Sequence, residues 1–161
     1  MRCEIEKQND IKLLKKEGEN ESETPQEDIE EEGMWNMDFY GAVSREGARA
    51  GVWFISPRKG SALHSFKLVF YCTNNVVEYE ALILGMNILK QLKAKRIDVH
   101  GDYEMIINPV NGIYHTKHPR MRAYMNAVLD MLEILTEHNI SFIPRDQNNI
   151  VDSLATATNN F

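Results

Sequence analysis

Leu63-His64-Ser65-Phe66-Lys67-Leu68-Val69-Phe70-Tyr71, continued by Cys72-Thr73-Asn74-Asn75-Val76-Val77-Glu78-Tyr79-Glu80-Ala81-Leu82-Ile83-Leu84-Gly85, decides the architecture. The first half is an apolar, aromatic-rich run of strand length. In the second half Ala81, Leu84 and Gly85 begin a series that Ile88, Leu89 and Leu92 continue at helical spacing, with Asn75 as the expected N-cap. A strand runs into a crossover helix here, which is the signature of an α/β architecture.

Working outward, two more strands precede this unit. Met37, Phe39 and Gly41 alternate with Asp38 and Tyr40, and Ala50 to Ser56 form a second apolar run. Ser44-Arg45-Glu46-Gly47 and Pro57-Arg58-Lys59-Gly60 separate the three runs with turn chemistry, so antiparallel strands follow one another by short connections. Downstream, Arg96 to His100 make a short strand, and helical stretches are expected around Tyr103 to Asn108 and from Met121 to Glu137. Ile140 to Ile143 form a last strand ended by Pro144, and a final helix begins near Asn148. The order βββαβαβα predicts a mixed sheet with helices packed on it.

Residues 1–33 read differently. They hold 5 Lys/Arg against 12 Asp/Glu, which leaves 13 basic and 12 acidic residues in the rest of a 161-residue chain. Glu17 to Glu32 offer almost nothing to bury, so this stretch is expected to be a disordered acidic leader, with at most a helical turn between Ile11 and Lys16. One domain from Met34 to Thr158 follows, with 159–161 as a terminal tail. The near-neutral balance of that domain leaves nucleic-acid binding open, where an acidic body would argue against it.

Cys3 and Cys72 form no metal spacing and no disulfide framework, which suits a reducing intracellular setting. No run approaches the ~20 apolar residues of a membrane-spanning helix, so no membrane partner is expected.

Three acids stand at the starts of expected helices: Glu78, Asp102 in His100-Gly101-Asp102, and Asp152 in Asn148-Asn149-Ile150-Val151-Asp152-Ser153. Taken singly each has a structural reading. Glu78 fits a capping arrangement with Asn75, Asp102 fits an N-cap, and Asp152 fits a first-turn carboxylate. Taken together they point elsewhere, because strand ends and helix starts at one end of an α/β sheet bring distant side chains together. A cluster of carboxylates without Cys or His suits magnesium, and two such ions about 3.5 to 4 Å apart can activate water and stabilise a leaving oxygen.

The stretch from Trp35 to about Ala157 resembles the RNase H domain of plant gypsy-type retrotransposon polyproteins. The likeness is carried by Trp35, Gly41-Ala42, Gly51, Ile55-Ser56-Pro57, Cys72-Thr73-Asn74-Asn75, Glu78 to Gly85, Gly101-Asp102, Val110-Asn111-Gly112, Pro144-Arg145, Asn148 and Asp152-Ser153-Leu154-Ala155. It implies an RNase H-like fold with a five-stranded sheet, and a monomer within a larger reverse transcriptase polyprotein. The implied activity is cleavage of the RNA strand of RNA:DNA hybrids with two magnesium ions, or manganese in their place. Glu78, Asp102 and Asp152 are then the metal ligands, and Thr73, Asn74 and Asn75 touch the hybrid's backbone and minor groove.

One implied ligand is missing. Relatives commonly read Tyr-Phe-Asp-Gly where this chain reads Asp38-Phe39-Tyr40-Gly41, and Tyr103 replaces the usual Ser after the aspartate. Phenols titrate near pH 10, so a neutral ring would stand where an ionised ligand should bridge two cations. Losing several kcal/mol of charge stabilisation would slow the reaction by roughly a thousandfold or more, which makes a pseudoenzyme, a catalytically dead nucleic-acid-binding or interaction module, the alternative expectation. Asp38 points to the same face but lies roughly 6.6 Å along the strand, and reads as a solvent-facing polar residue.

Lys90, Lys93, Lys95 and Arg96, and separately Lys117, Arg120 and Arg122, are candidates for phosphate contact. For the first group, helix-end dipole compensation or plain solvation is the preferred reading. His115 and His118 lack a third ligand and are assigned no chemistry.

Overall fold

Alternation along the first long strand sets the two faces of the sheet. Met37 and Phe39 are wholly buried on one face, while Asp38 and Tyr40 belong to the other. The computed structural model describes residues 5–6, 12–14, 33–70, 72–112 and 116–147. In chain order the elements are β1 (Ile5–Glu6), β2 (Lys12–Leu14), β3 (Met34–Ser44), β4 (Gly47–Ile55), β5 (Ser61–Leu68), α1 (Asn74–Gln91), β6 (Arg96–Gly101), α2 (Glu104–Val110), α3 (Pro119–Glu133) and β7 (Glu137–Phe142). A short 3-10 turn, Arg145–Gln147, follows.

Five long strands lie in the order β5-β4-β3-β6-β7, with β3, β4 and β5 antiparallel and β6 and β7 parallel to β3. The expected mixed five-stranded sheet is therefore present. Two short strands add to its β5 edge: Ile5 pairs with Leu68, and Lys12–Leu14 pair with Leu63–Ser61. Both fall within the stretch read as a leader, and Lys12–Leu14 is a strand rather than a helical turn. An open sheet edge is a ready acceptor for any segment that can pair with it.

Helix α1 packs across β3 and β4, α3 packs on α1, and α2 touches α3 and β7. Burial runs nearly round α1, from Val76 to Ile83 without a break, because the sheet covers one side of it and α3 another. The rings of Tyr79 and Tyr124 stack 5.4 Å apart at that helix–helix contact. Two glycines permit the close approach of α1 to the sheet. A Cβ on Gly85 would meet Val52 Cγ1 at 2.9 Å, and one on Gly41 would meet the backbone of Val77 and Glu78 at 2.9 Å.

Three of the differences from the sequence reading have a local cause. Helix α1 starts at Asn74 because Thr73, not Asn75, caps it, with Thr73 Oγ1 accepting from Val76 N–H at 3.3 Å. Asp102 does not cap α2, since Tyr103 occupies the capping place and makes no side-chain cap bond. Helix α3 ends at Glu133 instead of Glu137, because the N–H groups of Thr136 and Glu137 are drawn to Lys95 O and Glu137 starts β7. The helix expected from Asn148 lies outside the described residues.

Candidate active site

The site is built where β3 outruns β6. Their parallel register ends at Phe39 opposite Gly101, so Tyr40 and Asp102 are the next residue on each chain. Gly41, one step further, presses against the first turn of α1 and donates its backbone N–H to the Glu78 carboxylate. Glu78 and Asp102, 24 positions apart in sequence, thus come close enough for the Asp102 charge to disfavour ionisation of Glu78.

Glu78 is 3% exposed, and its Oε2 has no hydrogen-bond partner. Burial, reinforced by the Asp102 charge, pushes its carboxyl up to about 8; the Gly41 N–H and the Arg145 charge pull the other way without prevailing. A buried acid with one oxygen unsatisfied is the group in this site that would gain most from a cation.

Tyr40 is half-buried on β3 opposite Gly51. Arg145, at the start of the 3-10 turn, donates from Nη2 to the Tyr40 hydroxyl, and its guanidinium carbon lies 4.8 Å from the ring centroid. Nothing in the sequence reading singled out Arg145 beyond its place in the Pro144-Arg145 match. Its 105-residue separation from Tyr40 gives no local signal.

Asp38 corrects an expectation. It is 6% exposed, not solvent-facing, because the β3–β6 register sets His100 directly opposite it. Asp38 Oδ1 lies 3.2 Å from His100 Nδ1, and His100 Nε2 lies 3.5 Å from Asp98 Oδ2. Asn139 Nδ2 donates to Asp98 Oδ1 at 2.9 Å, extending the polar row to β7. The hydrogen bond to Asp38 leads the causes that raise the His100 pKa, with the Asp98 charge adding and burial opposing.

Thr73, Asn74 and Asn75 line the start of α1 beside Glu78. Thr73 and Asn74 are exposed, and Asn75 is half-buried with its Oδ1 accepting from the Tyr103 hydroxyl at 2.5 Å. Asp152 and His115 lie outside the described residues. Lys90, Lys93 and Lys95 sit at the far end of α1, about 18 Å along the helix from Glu78, and Arg96 pairs with Glu137 at 3.5 Å. The structure does not bring this group to the acids. Arg120 and Arg122 are exposed in the first turn of α3, with Lys117 just before it.

The donor set decides what metal chemistry the site can hold. Glu78 and Asp102 offer the oxygen ligands a hard divalent ion takes, and the orphaned Oε2 is a free donor. Tyr40 adds only a phenol bonded to a guanidinium, which supplies no carboxylate ligand. Among the described residues no group of three His, Cys, Asp or Glu could hold a metal. These residues therefore fit one divalent ion at most and do not fit a pair.

Residues 38–158 match the protein family described as Reverse transcriptase-like. Ribonuclease HI of Halobacterium salinarum is 28% identical over 83 residues, which are 52% of this chain and 42% of that protein. A bifunctional protein of Mycobacterium tuberculosis is 29% identical over 83 residues, 52% of this chain and 23% of its own length. The chain spans less than half the length of these curated relatives. The crystal structure of RNase H1 from Halobacterium salinarum superposes with a TM-score of 0.69 at 23% identity, over 80% of this chain and 100% of that one. An RNase H1 isolated from compost, solved in complex with an RNA/DNA hybrid, gives a TM-score of 0.61 at 24% identity, over 74% and 99% of the two chains. The architecture is an RNase H-like fold.

Proposed function

This chain belongs to the Reverse transcriptase-like family, and from that membership we propose that it is an RNase H-type domain of retrotransposon origin. It binds RNA:DNA hybrids, and its magnesium-dependent hydrolysis of the RNA strand is impaired at Tyr40. Hybrid binding is supported by the fold shared with an RNase H1 solved on an RNA/DNA hybrid, and by the polar start of α1 beside the acids. The impairment is carried by one observation: the Arg145 guanidinium bonds the Tyr40 hydroxyl beside Glu78.

That cation already answers part of the negative charge a metal would neutralise. Burial and the Asp102 charge push the Glu78 carboxyl up to about 8, so an ion bound there would have to displace its proton. When bound, magnesium would supply charge stabilisation at the scissile phosphate, with Glu78, Asp102 and Asp152 as its ligands. Tyr40 cannot join them.

The same observation favours a second reading, a catalytically inactive hybrid-binding module. Cleavage of a labelled hybrid by the wild type, by Tyr40→Asp, and by Tyr40→Asp carrying Asp102→Asn separates the two. Slow wild-type turnover with magnesium or manganese, raised by the first change and abolished by the second, supports impaired catalysis. Wild-type binding that weakens with salt but yields no product supports the inactive module. A folded revertant that neither cleaves nor binds hybrid would refute both.

A further inference from the structure

The far end of α1 holds a groove that the cluster of acids does not use. Met86 and Leu89 of α1, Ala94 in the turn after it, Ile97 of β6, Met131 of α3 and Leu135 just beyond line it. It encloses about 290 Å³, and Ile134 beside it is 66% exposed. An apolar recess left in water and rimmed by polar groups marks a place where something docks. The rim here carries one sign of charge, because Lys90, Lys93 and Lys95 all border the groove and are exposed. Among the described residues no carboxylate pairs with these three, and the nearby Glu137 is taken by Arg96.

An occupant must therefore combine an apolar side chain with several negative charges. The chain carries such a stretch, Glu27-Asp28-Ile29-Glu30-Glu31-Glu32, in which one isoleucine stands among five acids. Those residues lie outside the described ones, but the chain on either side of them is placed. Gly33 leads into Met34, which is in register with Arg96, the neighbour of Lys95, and Trp35 is in register with Ile97 of the groove itself. Ile29 is six residues from Trp35, a reach of up to about 20 Å when extended, against about 5 Å between adjacent strands. On the other side Leu14 pairs with Ser61, Ser61 with Ile55 and Ile55 with Asn36, so the chain leaves β2 at this same end of the sheet.

Both anchors hold the acids near the lysines, and so short a tether gives an effective concentration in the millimolar range. Residues 148–161 fit less well, since they carry the single acid Asp152 and follow the 3-10 turn at the opposite end of the sheet, where Arg145 meets Tyr40. We propose that Ile29 seats in the groove between α1 and α3, with its flanking carboxylates on Lys90, Lys93 and Lys95. The acidic stretch then occupies cations that would otherwise draw phosphates, which keeps nucleic acid off this side of the molecule. This goes beyond the function proposed above and does not rest on it.

The test is methyl NMR on the full chain with isoleucine, leucine and methionine methyl groups labelled, the Ile29 signal being assigned by its loss in Ile29→Val. Nuclear Overhauser cross-peaks from Ile29 to Met131 and Leu135 are expected in the wild type. They should weaken severalfold when Lys90→Gln, Lys93→Gln and Lys95→Gln are combined, a change that removes the charges and keeps the apolar walls. They should weaken likewise in about 1 M salt, where the screening length falls to about 3 Å. The thermal midpoint of the triple variant, altered only at exposed side chains, should stay near that of the wild type.

A wild type without cross-peaks from Ile29 to the groove overturns the proposal. Cross-peaks that arise only between separately labelled copies overturn it as well, because a second molecule is then the occupant. Cross-peaks indifferent to both the lysines and salt show that charge does not hold the segment, which removes the argument for this stretch. Should the triple variant fail to fold, the salt dependence of the wild type still decides that point.

Discussion

Asp38 and His100 face each other in register across β3 and β6, with Asp38 Oδ1 3.2 Å from His100 Nδ1. Under the function proposed above, this contact keeps Asp38 from standing in for a metal-binding acid at Tyr40. Its carboxylate is committed to an imidazole, and redirecting it would strand His100 between β3 and Asp98.

The pair also makes stability depend on pH. The folded-state pKa of His100 is raised, chiefly by the hydrogen bond to Asp38. The folded protein therefore binds the proton more tightly than the unfolded chain does. The contribution is fully present below the unfolded value of about 6.5 and is lost as pH rises through the folded value. Asp38→Asn should cost about 1 to 3 kcal/mol at pH 5.5 and less at pH 8.5 by urea unfolding. An equal loss at both pH values would show that the imidazolium is not involved.

Glu78 titrates in the same sense, but its test is a gain of stability on substitution. An acid raised from 4.5 to about 8 keeps its proton in the folded state over a range where the unfolded chain has lost it. Stability from this group is complete below 4.5 and drains away as pH climbs towards 8. Glu78→Gln removes the cost of ionising a buried carboxyl. The variant should gain on the wild type by a few kcal/mol at pH 8 and show little difference at pH 4.5. A variant no more stable than the wild type at pH 8 would refute the burial argument.

Much of this arrangement was readable from the residues. The strand-to-helix run from Leu63 to Gly85 and the turns at Ser44–Gly47 and Pro57–Gly60 yielded the sheet and crossover, because hydrophobic period and turn chemistry are local properties. The convergence of Glu78 and Asp102 followed from topology. What stayed hidden depends on register or on long-range docking: His100 meets Asp38 only through the parallel pairing, and Arg145 reaches Tyr40 across 105 residues. The cap at Thr73 was misplaced for a local reason, since Thr73, Asn74 and Asn75 are all competent caps and only geometry selects one.

Metal response can be read without any turnover. An ion that binds only the folded state stabilises it by RT ln(1 + [L]/Kd), about 2.7 kcal/mol at a hundred times Kd. Magnesium should leave the wild-type thermal midpoint nearly unmoved at pH 7, since a phenol and a guanidinium occupy one corner of the site. Tyr40→Asp supplies the carboxylate, and its midpoint should rise with magnesium concentration. Adding Asp102→Asn should flatten that response. A wild type stabilised as strongly as the revertant would mean that Tyr40 is no obstacle to the ion.

Gly41 ties the fold to the site. A Cβ there would come within 2.9 Å of Glu78 N and Val77 C, which are backbone atoms that no rotamer change can move aside. Gly41→Ala should therefore displace the first turn of α1 from β3, at about 1 to 3 kcal/mol of stability. The displacement also carries Glu78 away from the Gly41 N–H, one of the two influences that hold its carboxyl down. The Glu78 titration should accordingly shift in Gly41→Ala, since its burial and its Gly41 N–H bond both change, followed by carboxyl-carbon NMR. Gly85→Ala is the control. Its added methyl meets Val52 and Met37 two turns further along α1, so it should destabilise comparably and leave the Glu78 titration in place. If both substitutions shift Glu78 alike, the effect belongs to general loosening of α1, and the specific contact between Gly41 and the Glu78 turn does not govern the site.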